Sequence, residues 1–113
     1  MARIGPMNIN VGNNKYQFVV YDLNGPAYNV PGVYIFSKGR PNAQGGNTHQ
    51  ILYIGETETL KDRVTPNHEK WDDALRQGMN YVSIYVPYSA ETRQGIEKEL
   101  IQHFKPPLND LIV

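Results

Sequence analysis

Gly32-Val33-Tyr34-Ile35-Phe36 and Ile51-Leu52-Tyr53-Ile54-Gly55 are the stretches whose reading decides the fold. Each is a short run of β-branched and aromatic residues with a glycine at one end, the composition of a strand. Side chains repeat every second residue along a strand, so Tyr34 and Tyr53 can lie on one face of an antiparallel pair. Gly32 and Gly55 bracket that pair. A glycine there either serves a backbone conformation closed to other residues or lets another group come close. Two phenols between two bare backbone positions are either a site or sheet packing.

Around this pair the chain reads as one domain of 113 residues, long enough to bury a core without covalent staples. It has no cysteine, hence no disulfide and no thiolate metal site. No apolar run approaches the ~18 residues of a membrane span, and the first residues lack the apolar stretch of a signal peptide. A cytoplasmic setting is the expectation. The formal net charge is zero, which argues against a protein that coats nucleic acid by charge alone. Lys38, Arg40, Lys61, Arg63, Arg93, Lys98 and Lys105 can still converge in space. Eight tyrosines against three phenylalanines and one tryptophan suit a surface that is both apolar and hydrogen-bonding, or one that stacks on bases. They equally suit strands.

In chain order, residues 1–15 are rich in Asn and Gly and read as weakly ordered. Tyr16 to Tyr21 reads as a strand, broken at Asn24-Gly25-Pro26. The stretch from Lys38 to Gln50, with glycines and a proline, reads as a long loop, either functional or mobile. Thr57 or Thr59 can cap a helix whose Leu60 and Val64 face the core, stopped by Pro66. A second helix from Asn67 or His68 carries Trp71, Ala74 and Leu75 on one face and ends at Gly78. Tyr81 to Val86 alternates as a half-buried strand. Ser89 caps a long helix to about Lys105, ended by Pro106-Pro107. An apolar end, Leu111-Ile112-Val113, follows.

On that last helix, at ~100° per residue, Ile96, Leu100, Phe104 and Ile101 form one arc. Arg93 and Glu97 fall inside the arc, Lys98 and Glu99 outside it. A charged group seldom turns inward without a partner. Either Arg93 and Glu97 pair along the helix, or Glu97 is a carboxylate held in a cleft for a divalent cation.

The order Gly-Val-Tyr, Tyr-Ile-Gly, Arg63, Glu97 in Glu-x-x-Leu-Ile, and Asn109 after Pro106-Pro107-Leu108 resembles the GIY-YIG nuclease family. The resemblance covers about residues 32 to 109, with valine in place of isoleucine in the first triplet. It implies an α/β (α+β) domain over 32–113 with a three-stranded antiparallel sheet flanked by helices. Residues 1–31 would be an extension with one extra strand. It further implies a metal-dependent endonuclease that hydrolyses phosphodiesters, on DNA before RNA, with one Mg²⁺ or Mn²⁺ ion held by Glu97.

Carried over by position, Tyr34 and Tyr53 are the paired tyrosines, Arg63 the phosphate-binding arginine and Asn109 the asparagine near the C-terminus. Tyr34 is then the general base and His68 its rival. The family often has a histidine four positions after the arginine; here Asn67 stands there and His68 follows. Gly32, Gly55, Lys61, Arg93, Lys38 and Arg40 are candidate substrate contacts, and a partner protein or a homodimer is compatible with all of this. The alternative is a catalytically silent nucleic-acid- or partner-binding module on the same fold.

Overall fold

The computed structural model describes residues 3–24 and 28–109. The break at Gly25-Pro26 and the apolar end Leu111-Ile112-Val113 lie outside them. The protein is α+β. Its strands are β1 (Arg3–Val11), β2 (Asn14–Tyr21), β3 (Gly32–Pro41), β4 (Asn47–Thr57) and β5 (Tyr81–Tyr85); its helices are α1 (Leu60–Arg63), α2 (Trp71–Arg76) and α3 (Ala90–Phe104). The strands form one sheet in the order β1-β2-β5-β3-β4, antiparallel throughout.

The expected three-stranded sheet is therefore a five-stranded one, and the expected single extra strand is a hairpin. Its first strand was hidden by composition: asparagines dominate residues 8–14, but Met7, Ile9 and Val11 alternate with them. The turn at Gly12-Asn13 has Gly12 at φ +58°, the left-handed backbone that tight hairpins demand. Met7, Ile9, Phe18 and Val20 share one apolar cluster with Val33, Ile35, Ile54, Ile96 and Leu100. Residues 3–21 are thus part of the same core as β3, β4 and α3.

The expected long loop from Lys38 to Gln50 is mostly strand. β3 and β4 pair from Gly32↔Thr57 to Pro41↔Asn47. Only residues 42–46 turn, closed by Asn42 N–H donating to the Gly46 carbonyl at 2.9 Å and by the Asn42 side chain accepting from Gln44 and Gly46. β5 is central rather than half-buried. Val82, Ser83 and Ile84 are all buried because both faces are covered.

One face carries α3, capped by Ser89, whose hydroxyl accepts from Thr92 N–H at 3.1 Å. The other carries α1, the turn at 65–70 and α2, over a cluster of Tyr34, Phe36, Leu52, Leu60, Val64, Trp71 and Ala74. Leu60 and Val64 face this core as expected, whereas Leu75 is exposed. Among the described residues no helix is long and apolar enough to cross a membrane.

Candidate active site

The site is set by a bulge. Phe36 pairs with Tyr53 but Ser37 pairs with Ile51, so Leu52 is an extra residue in β4. A bulge resets the alternation of its strand. Leu52 and Tyr53 therefore both turn to the face with α1 and α2, while Ile51 and Ile54 turn to α3. Tyr53 lies diagonal to Tyr34, with ring centroids 6.1 Å apart. The sequence expectation of two tyrosines on one face holds.

The glycines have a different duty. A Cβ on Gly55 would stand 2.4 Å from Cζ and Oη of Tyr34. On Gly32 it would stand 2.7 Å from Leu60 Cδ1. The room over both is filled by protein, so their smallness serves packing, not the approach of a ligand.

His68 is brought in by the turn between α1 and α2. Its N–H donates to the Thr65 carbonyl at 2.9 Å, which places exposed Asn67 at the tip and His68 inside. The ring sits among Phe36, Tyr53 and Tyr34, with centroids 5.0, 5.2 and 5.6 Å away. Lys70 N–H donates to Nδ1 at 3.0 Å. That bond uses the Nδ1 lone pair, so the neutral ring carries its proton on Nε2. Nε2 lies 2.8 Å from the Tyr34 hydroxyl oxygen and donates to it. Burial, and then the charge of Arg63, push the imidazole down to about 4. His68 is therefore a neutral donor to Tyr34, with no lone pair free to act as a base.

Burial holds the Tyr34 hydroxyl well above the ordinary phenol range; Tyr53 adds to this and the charge of Arg63 opposes it. Tyr53 is raised by burial and then by the charge of Glu69. Arg63, at the end of α1, donates from its two terminal nitrogens to the two oxygens of Glu69 at 2.6 and 2.5 Å. This hydrogen bonding holds the Glu69 carboxyl down at about 2. The sequence reading passed over Glu69. Its position beside His68, six residues after Arg63 with a turn-forming proline between, was the available signal.

Glu97 and Arg93 do not pair along α3. Arg93 Nε donates to Glu56 on β4 at 2.5 Å, with only 6 % of its side chain exposed. It is enclosed in that pair rather than turned to a ligand. Glu97 is left beside Glu56, and burial, then Glu56, raise its carboxyl above the usual range. No arginine, lysine or histidine among the described residues forms an ion pair with it. Among the described residues no three His, Asp or Glu converge as a metal cluster. Mg²⁺ asks for less, since one or two carboxylates suffice while water fills the other positions. A half-buried carboxylate lacking a cation fits such an ion.

Asn109 clamps the segment after α3 to the outer edge of β4. Its Nδ2 donates to the Ile54 carbonyl at 2.8 Å and its Oδ1 accepts from Ile54 N–H at 2.9 Å. Leu108 N–H donates to the Leu52 carbonyl at 3.0 Å, so the segment extends the ladder by one short edge. Lys61 is exposed on α1. Lys38 and Arg40 lie on the Tyr34 face but four and six residues further along β3, roughly 13 and 20 Å away. The Lys38 stem fills the space beside Gly78. A cavity of about 370 Å³ lies elsewhere, against Met7–Asn10, His49 and Phe104, and no candidate residue lines it.

Comparison of the chain with models of known families, with curated proteins and with solved structures gives no match.

Proposed function

We propose that the protein is a metal-dependent endonuclease of the GIY-YIG kind, hydrolysing phosphodiester bonds of nucleic acid, DNA before RNA, with weak sequence specificity. The observation that carries this reading is the Tyr34 hydroxyl, bonded to the proton-bearing nitrogen of His68 and close enough to Arg63 to feel its charge. A phenol is a poor base at neutral pH. A donor and a cation beside it favour its anion, against the burial that holds it above the ordinary phenol range. In this reading Tyr34 takes the proton of the attacking water, and His68 holds the phenolate. Tyr53 orients the water. Arg63 presents a planar fork to phosphate oxygens and stabilises the charge added in the transition state. Glu97 would hold one Mg²⁺ or Mn²⁺ ion, a Lewis acid relieving charge at the phosphate and the leaving oxygen. Asn109 keeps the edge strand in place. The cysteine-free chain suits a reducing, cytoplasmic setting.

The test is cleavage of labelled single-stranded DNA, duplex DNA and RNA by wild type and Glu97→Ala, with Mg²⁺ and with chelator. Cleavage by wild type alone, and only with the ion, is the expected result. A second reading, a silent nucleic-acid- or partner-binding module, draws on the burial of Tyr34, which is 1 % exposed. Binding without cleavage of any substrate would favour it.

A further inference from the structure

We propose that Glu69 is a built-in competitor for the substrate phosphate, so that the Arg63–Glu69 pair is the closed form of the site and a phosphate opens it by taking over the guanidinium fork. The inference rests on reading Arg63 as the phosphate-binding residue.

The end-on fork of the guanidinium, formed by its two terminal nitrogens, is occupied. Two nitrogens of Arg63 meet the two oxygens of one carboxylate. A phosphodiester offers the same pair of oxygens to the same fork, so carboxylate and phosphate cannot both occupy it. The side chains of Arg63 and Glu69 are 37 % and 55 % exposed. An ion pair in water is weak and exchanges readily. Tyr34, 1 % exposed, lies near enough to feel the charges of both members of the pair, so a phosphate taken up by the fork would be held beside the phenol.

Glu69 can leave without disturbing the sheet. It stands in the 65–70 turn, which backbone bonds within the segment help to hold: His68 N–H to the Thr65 carbonyl, Asn67 N–H to the Thr65 hydroxyl and Trp71 N–H to the His68 carbonyl. Glu69 is thus a positioning residue. It holds the Arg63 fork in the free protein and sets how strong an anion must be to enter.

Inorganic phosphate is titrated into the full chain as wild type, Glu69→Gln and Glu69→Ala, following the Arg63 Nε–H resonance by NMR. Competition predicts that the phosphate midpoint falls about fivefold in Glu69→Ala, the factor set by one exposed ion pair, with Glu69→Gln between. A misfolded variant would lose the graded order and the Arg63 resonance shift together. An unchanged or higher midpoint in Glu69→Ala, or no phosphate-dependent shift of Arg63 in any of the three, overturns the proposal. A labelled single strand, with Mg²⁺ and with chelator, forms the second arm. Phosphate competition as expected, with no oligonucleotide bound or cut by any variant, would uphold the gate and reject the nuclease reading.

Discussion

The Tyr34 ring lies directly across the backbone of Gly55, its partner on the neighbouring strand. The second glycine of the site is therefore a seat for the first tyrosine. Gly55→Ala would set a methyl carbon 2.4 Å from Cζ and Oη of a ring with no free space. The variant should lose about 1–3 kcal/mol by the cost of overpacking. It should also lose most of any cleavage activity, because the hydroxyl must leave His68. Denaturant unfolding read beside a cleavage assay checks both.

Stability should fall in mildly acidic solution because of His68. An unfolded imidazole titrates near ~6.5, the folded one at about 4. Between these values the unfolded chain binds a proton that the folded chain does not, so stability is full above the unfolded value and falls as pH drops. The loss is complete below the folded value and amounts to about 3 kcal/mol. A proton on Nδ1 would also face the Lys70 N–H. Glu69, held down by Arg63, contributes stability that is present above its ordinary value and lost toward more acid pH; its exposure screens that term to a small fraction. Denaturant unfolding at pH 7 and pH 5 should show the drop in wild type and a much smaller one in His68→Phe.

The pH dependence of cleavage separates the two candidate bases. With Tyr34 as base, its raised pKa means the phenolate fraction, and so the rate, climbs tenfold per pH unit from pH 6 to 9. With His68 as base, titrating at about 4, the rate would be flat over that range. A log–log slope near one under saturating Mg²⁺ is expected.

Asn109→Ala should cost about 1–2 kcal/mol, since two backbone groups of Ile54 lose their partners at an edge that water can reach. The signature is local. Exchange of the Ile54 and Leu108 amide hydrogens should speed up more than that of β5 amides, which a general loss of stability would accelerate equally.

The core pairing of this fold was open to a reader of the sequence because it rests on short-range pattern. Strand composition located Tyr34 and Tyr53, helix periodicity turned Glu97 and Arg93 inward, and Ser89 and Gly78 marked helix ends by their chemistry. The N-terminal hairpin was legible too, in the alternation of Met7, Ile9 and Val11, but its asparagines obscured it. The central place of β5 was not, because nothing local to Tyr81–Tyr85 says what pairs on either side.

By itself the sequence determined which residues bear chemistry, since charge, aromaticity and period are properties of the chain. Which groups meet was decided only by tertiary structure. Arg93 chose Glu56 over Glu97, Arg63 chose Glu69, and His68 took the place beside Tyr34 that spacing assigned to Asn67. Each choice depends on a turn or bulge, at Leu52 or at 65–70, that shifts side chains by one position. Ion pairs and hydrogen bonds act over a few ångströms, so a shift of one residue changes every partner while leaving the pattern of residue types untouched.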